Sequence, residues 1–223
     1  MRKLIIISAV ILTAGTANAM PQLYVSEKLA YGHFRLNNLT QYEPVFDVTI
    51  KGTEENDWAI GSRTAVGIQF DPASIMSEFR GELEFGIHSR AKFTTTNKSN
   101  PALTMQADMW PLSYGANIYY DLKVGVGLKP YIGAGLGWVR LSYTMDSDDV
   151  YGKGTETNFY WNFGLGVSYA LTSHLDLDAG YRYTNYGQFK GSLNGYNALD
   201  GLVFNTKVDL TSHEILLGAR YAF

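Results

Sequence analysis

Ser212, His213 and Glu214 carry, in three consecutive positions, the hydroxyl, imidazole and carboxylate of a hydrolytic triad. Such a triad works only when nucleophile, base and orienting acid converge. In an extended segment, neighbouring side chains leave on opposite faces, so these three do not converge. The other histidines, His33, His88 and His174, show no neighbouring catalytic constellation, and no enzyme is expected. Gly133-Ala-Gly-Leu-Gly137 suggests a nucleotide loop, but the dinucleotide fingerprint needs a third glycine after two spacers and then a helix. Trp138 stands there instead, and the glycines are better explained as room for bulky neighbours. Asp146-Ser-Asp-Asp149 lacks the ligand order and the glycine of an EF-hand and fits a solvated acidic tip. Neither a cofactor nor a metal site is expected.

The elements that hold these residues explain why they carry no chemistry. Counting back by twos from Phe223 gives Tyr221, Ala219, Leu217 and Ile215, whereas the other parity gives Ala222, Arg220, Gly218, Leu216 and Glu214. One face is oily and the other bears both charges, the pattern of a strand between lipid and a polar interior. Eight segments alternate in this way: residues 23–31, 58–70, 75–93, 109–122, 130–141, 158–171, 175–183 and 212–223. Short links at 71–74, 123–129 and 172–174 alternate with long ones at 33–57, 94–108, 142–157 and 184–207. Aromatic residues gather at the segment ends: Phe70, Tyr120, Tyr169, Tyr221 and Phe223 at one end, Tyr31, Trp58, Trp110, Trp161 and Tyr183 at the other. In a bilayer only a closed sheet leaves no backbone group unpaired. The expected fold is all-β: an eight-stranded antiparallel transmembrane β-barrel with short periplasmic turns and four longer extracellular loops.

Composition and the first residues agree with export. Arg2-Lys3, the apolar run 4–12 and Ala17-Asn18-Ala19 have the layout of a signal peptide covering residues 1–19, with a barrel domain over 20–223. No apolar run reaches the roughly 20 residues a spanning helix needs. Cysteine is absent, and Lys+Arg number 18 against 21 Asp+Glu, so there is no basic footprint for nucleic acid.

Parity sorts the charges. Lys28, Arg63, Arg80, Arg182 and Arg220 fall on the inward face with Glu82, Glu84, Asp121, Asp176, Asp178 and Glu214. Five cations against six anions make a nearly balanced plug, because an eight-stranded interior is filled by its own side chains. Glu27 falls on the lipid parity, which calls for a bulge or an interfacial position. Arg140 also falls outward, at the upper end of its strand, where it could meet lipopolysaccharide phosphates.

Phe79-Arg-Gly-Glu-Leu-Glu-Phe85, Tyr114-Gly-Ala-Asn-Ile-Tyr-Tyr-Asp-Leu122, Leu128-Lys-Pro-Tyr-Ile-Gly-Ala-Gly-Leu-Gly137, Leu175-Asp-Leu-Asp-Ala-Gly-Tyr-Arg-Tyr183 and Gly218-Ala-Arg-Tyr-Ala-Phe223 resemble the opacity-type outer-membrane β-barrel family. That family is related in fold to the transmembrane domain of outer-membrane protein A, whose peptidoglycan-binding domain has no counterpart after this barrel. The resemblance covers essentially all of 20–223 and implies a bacterial outer-membrane location. It further implies that Tyr221 and Phe223 are read by the barrel assembly machinery. Family members include adhesins, immune-evasion proteins, envelope-stabilising proteins and haem binders.

Function is then expected in the loops, because a rigid scaffold leaves binding to its connections. Tyr42, Phe46, Tyr151, Tyr186, Phe189, Tyr196 and Phe204 are the candidate contacts for a host-cell or extracellular protein. The other readings are a structural envelope protein and a narrow channel. The expected partners are outer-membrane lipid, lipopolysaccharide and the assembly machinery, with the barrel itself a monomer.

Overall fold

The computed structural model describes residues 21–43, 45, 47–70, 77–100, 103–125, 127–195 and 199–223. The expected leader, the 71–74 turn, Phe46 and Tyr196 lie outside these residues. The described chain is all-β, with ten strands: β1 (Gln22–Glu43), β2 (Val48–Lys51), β3 (Glu55–Phe70), β4 (Ser77–His88), β5 (Ala91–Thr96), β6 (Thr104–Leu122), β7 (Leu128–Asp146), β8 (Val150–Ala170), β9 (Leu175–Gly195) and β10 (Val203–Ala222).

The hydrogen-bonded order is β10-β9-β8-β7-β6-β4-β3-β1-β2, with every named pair antiparallel. β10 also pairs with β1, from Tyr24↔Ala222 to Tyr42↔Asn205, so the path of neighbours returns to its start. Joining the first long strand to the last satisfies backbone groups that would otherwise form two open edges.

The expected count of eight is replaced by ten for two local reasons. The third expected segment breaks into β4 and β5 at Ser89, whose amide donates to the Ile60 carbonyl at 2.7 Å while its hydroxyl accepts from the Ile60 amide at 3.1 Å. A side chain there does the work of a ladder partner, and β5 continues along β6. The additional short strand β2 folds back on β1 from Thr40↔Lys51 to Glu43↔Val48.

The expected long links are mostly strand. β7 and β8 run on until a tight turn closed by the Ser147 amide on the Val150 carbonyl at 2.9 Å. Alternation continues through these extensions, but the chemistry of the two faces changes places. On β10 the outward positions run Asn205, Lys207, Asp209, Thr211 and then His213, Ile215, Leu217. The inward positions run Phe204, Thr206, Val208, Leu210 and then Ser212, Glu214, Leu216. Below His213 the outer wall is apolar and the inside polar; above it the wall is polar and the inside apolar. β1 inverts at the same height, where His33 faces His213. A wall in hydrocarbon below and water above requires this exchange.

Candidate functional site

The inward charges sorted by parity come together in the lower interior. Arg63 is 1 % exposed and holds Glu214 by Nε and Nη2 at 2.9 and 2.8 Å, with Nη1 on Glu84 at 3.0 Å. Arg182 also clasps Glu84, at 2.6 and 3.0 Å, and donates to the Tyr119 hydroxyl at 2.9 Å. Arg80 makes a two-point contact with Asp121 at 2.6 and 2.7 Å, and Lys28 reaches Glu82 at 2.9 Å. Arg220 pairs with Asp176, and Asp178 accepts from Ser168. Planar two-point contacts are the strong kind of charge-assisted bond, and they lock guanidinium and carboxylate in one orientation.

Parity stopped one rung short of the lower mouth. Glu78, on the same face as Arg80 and Glu82, is buried between Lys123 at 3.5 Å and Lys129 at 3.2 Å. Lys129 also reaches Asp176 at 3.5 Å. Extending the count by two along β4 and β7 finds both Glu78 and Lys129. The ring stack was also missed: Tyr119 lies edge-on to Tyr131 at 5.7 Å, with the Arg80 guanidinium 4.5 Å from the Tyr119 ring. Gly133 makes this possible, since a Cβ there would run into the Tyr119 ring.

Above the ion pairs sits an apolar core that includes Phe34, Leu36, Phe93, Met109, Val139, Leu141, Leu193 and Leu210. This corrects three expected surface contacts. Tyr186 (0 % exposed), Phe189 (4 %) and Phe204 (5 %) lie in this core and cannot meet a partner at the surface. The Tyr186 hydroxyl points down to Glu214 at 3.3 Å and joins the two layers. Tyr42 and Tyr151 are exposed. Ser212 and Glu214 face inward, Ser212 donating to Glu214 at 3.1 Å, while His213 turns outward to the Tyr181 hydroxyl at 2.5 Å. The triad residues therefore stand on two sides of the wall.

The outer wall of the upper sheet carries a feature that no single strand displays. Lys207 faces Lys190 on β9 and Thr40 on β1, and Thr40 faces Lys51 on β2. Lys51, Lys190 and Lys207 thus share one transverse rung on one face. All three are exposed, and among the described residues none makes an ion pair. Like charges placed opposite each other destabilise a sheet by roughly 0.2–1 kcal/mol. Lys190 and Lys207 line a cavity of about 900 Å³ together with Lys153, Glu156, Tyr143 and Ser192.

The cavity exists because β8 and β9 part company. Their register is interrupted between Tyr151↔Asn194 and Trp161↔Asn185. The Asn158 amide spans the gap, donating to the Tyr186 and Gln188 carbonyls at 3.0 Å each. The Tyr143 phenol enters from β7 between Gly154 and Gly191, where added Cβ atoms would come within 2.6 and 2.5 Å of its oxygen. Burial pushes this phenol up, Glu156 adds to the shift, and a backbone bond from Ser192 opposes it.

The family described as "Outer membrane protein beta-barrel domain" matches residues 4–223. The chain belongs to that family. Outer membrane protein PagN of Salmonella typhimurium is 24 % identical over an alignment of 235 positions that spans 98 % of this chain and 97 % of PagN. Opacity protein opA66 of Neisseria gonorrhoeae is 30 % identical over 139 residues, about half of each chain (50 % and 52 %). Among solved structures, Neisserial surface protein A aligns with TM-score 0.50 at 21 % identity over 90 % of this chain and 97 % of that one. The outer membrane protease OmpT of Escherichia coli aligns with TM-score 0.51 at 11 % identity, over 93 % and 99 %. These last two likenesses show a shared fold.

As an outer-membrane barrel, the molecule has lipid against its apolar belt. Leu23, Leu83, Ile118 and Leu217 are 59–69 % exposed on the outer wall. Tyr31 stacks on Trp58 at 4.6 Å at the upper margin, and Tyr221 meets Phe223 edge-on at 5.5 Å at the lower. Such aromatic pairs mark the two membrane interfaces. The ion pairs of Arg63, Arg182, Arg80 and Lys28 lie below the upper margin, and the apolar core and the lysine rung lie above it.

Proposed function

We propose that this outer-membrane protein is a non-enzymatic surface adhesin, and that its binding face is the outer wall of the sheet above the membrane. The observation that carries this reading is the lysine rung. Lys51, Lys190 and Lys207, with Lys153 beside them, concentrate positive charge on a chain that is acidic overall. This local excess of positive charge, with Glu156 beside it, suits an anionic partner on a host cell or an extracellular protein, and it steers encounter. Exposed Tyr42 lines the same cavity, and Tyr151 stands on the adjoining strand, so both supply aromatic contact. The similarity to PagN and to opacity proteins supports a surface role.

Arg140, outward and exposed two residues above Trp138, anchors the upper margin on lipopolysaccharide phosphate. Tyr221 and Phe223 present the terminal signal to the assembly machinery.

The test replaces Lys153, Lys190 and Lys207 together with glutamate and measures attachment of whole cells to host cells at two salt concentrations. Attachment falls about tenfold or more, equivalent to 1.4 kcal/mol, and its salt dependence weakens, while heat-modifiable migration stays normal. Unchanged attachment by a correctly assembled variant removes the lysine wall as the binding face.

A further inference from the structure

β8 and β9 lose their ladder just above the upper membrane margin, where Trp161 meets Tyr183 at 5.6 Å. Trp161 still faces Asn185, and Tyr151 again faces Asn194, but residues 152–160 and 186–193 share no ladder pair. Each strand stays bonded on its other side, 152–160 along β7 and 188–193 along β10. The gap is therefore a slit in an otherwise continuous wall. Thr155, Glu156 and Thr157 are exposed in succession, so both faces of β8 meet water there.

The two edges of the slit are not equal. On β9 the Tyr186 and Gln188 carbonyls accept from the Asn158 amide at 3.0 Å each, and the Ser192 backbone bonds the Tyr143 phenol. On β8, residues 152–157 have a ladder on the β7 side only. Alternate residues of an antiparallel strand turn both N–H and C=O to the same side, so roughly three residues of this stretch offer main-chain groups to the slit. Such a row is a template for one more strand.

Lysine on an exposed edge ordinarily keeps other strands away. Here Lys153 stands on β8 and Lys190 on β9, and Lys207 faces Lys190 from β10. All three line the cavity of about 900 Å³ into which the slit opens. Their charge turns away a basic segment and draws in an acidic one. Glu156 bears the opposite sign, so the acidic side chains of an incoming segment belong beside Lys153 and Lys190 and not beside Glu156.

We propose that the slit takes an extended acidic peptide segment of a partner protein, which adds to the β8 edge as a short strand. This inference rests on the lysine wall as the binding face and names the chemistry of what that face holds. Main-chain bonds along residues 152–157, about 20 Å of strand, give affinity, and the lysines select charge. The site stands above the aromatic margin and is open to water-soluble partners.

The test titrates the protein in detergent micelles with a fluorescein-labelled peptide that alternates glutamate and valine over about six residues. Lys153→Glu with Lys190→Glu weakens its binding by about tenfold or more in fluorescence anisotropy, and heat-modifiable migration verifies that the variant is folded. The same peptide N-methylated at every amide keeps its charge, loses its main-chain donors and binds at least about tenfold more weakly. Amide exchange slows at residues 152–157 when the unmethylated peptide is bound and stays unchanged at 163–169, where the ladder with β9 is complete. Equal binding by the methylated peptide, with both peptides still lost on lysine reversal, would overturn the added strand and leave the lysine face in place. Dextran sulfate that binds through the lysines while neither peptide does would overturn the strand and assign the face to an anionic polysaccharide. Peptide binding that ignores the lysine reversal would overturn the selection of an acidic segment. Absence of peptide binding up to about 1 mM would overturn the strand as well.

Discussion

Glu84 is the carboxylate on which the lower interior turns. It accepts from Arg63 and Arg182, lies 4.0 Å from Lys28, and has a side chain 1 % exposed. Removing one partner from such a group leaves uncompensated buried charge, a loss of about 3–5 kcal/mol. Glu84→Ala therefore lowers the urea midpoint of the barrel in lipid vesicles by far more than Thr155→Ala, a change at an exposed hydroxyl of the upper wall. Equal midpoints would show that the ion pairs contribute nothing to stability. Inward charge is legible from parity, because period two is a property of the backbone, although Glu78 and Lys129 lie one step beyond the segments counted. What parity could not give is which anion each guanidinium takes. Arg63 on β3 reaches across the interior to Glu214 on β10, not to the nearest carboxylate in sequence.

The strands extend above the lipid because their inward residues become apolar where the outer ones become polar. Leu141 and Leu210, each 1 % exposed, are core residues of this extension. Leu210→Ala should destabilise by roughly 2–5 kcal/mol through lost burial and the cavity left behind. Leu217→Ala, on the lipid face of the same strand and 59 % exposed, should cost distinctly less. Parallel urea titrations of the two variants check this, and similar losses would place the upper strands outside any packed core. The sequence revealed the lower part of β1, β7, β8, β9 and β10 and missed their upper part for one physical reason. A search for an oily outer face loses the strand where the solvent changes from hydrocarbon to water, although alternation never stops. For the same reason Tyr186, Phe189 and Phe204 looked like loop aromatics. The lysine rung stayed hidden because it depends on register across β2, β1, β10 and β9, including the shifts after Asn37 and Asp209.

At the scale of the whole molecule, the interior is filled twice, by ion pairs below the upper margin and by apolar packing above it. Two unlike plugs stand in series among the described residues, and planar-bilayer recordings are expected to show rare, small openings. A large, steady conductance would mean that the plugs do not hold.

The inversion of the wall at His213 is the feature on which the placement of core, binding face and membrane all depend. It is tested most directly by single cysteines along β10 in intact cells, labelled with a membrane-impermeant maleimide. Asn205→Cys and Lys207→Cys should label rapidly, whereas Val208→Cys, Leu210→Cys and Leu217→Cys should label only after denaturation. Rapid labelling at 208 or 210, matching that at 207, would contradict an apolar core above the membrane.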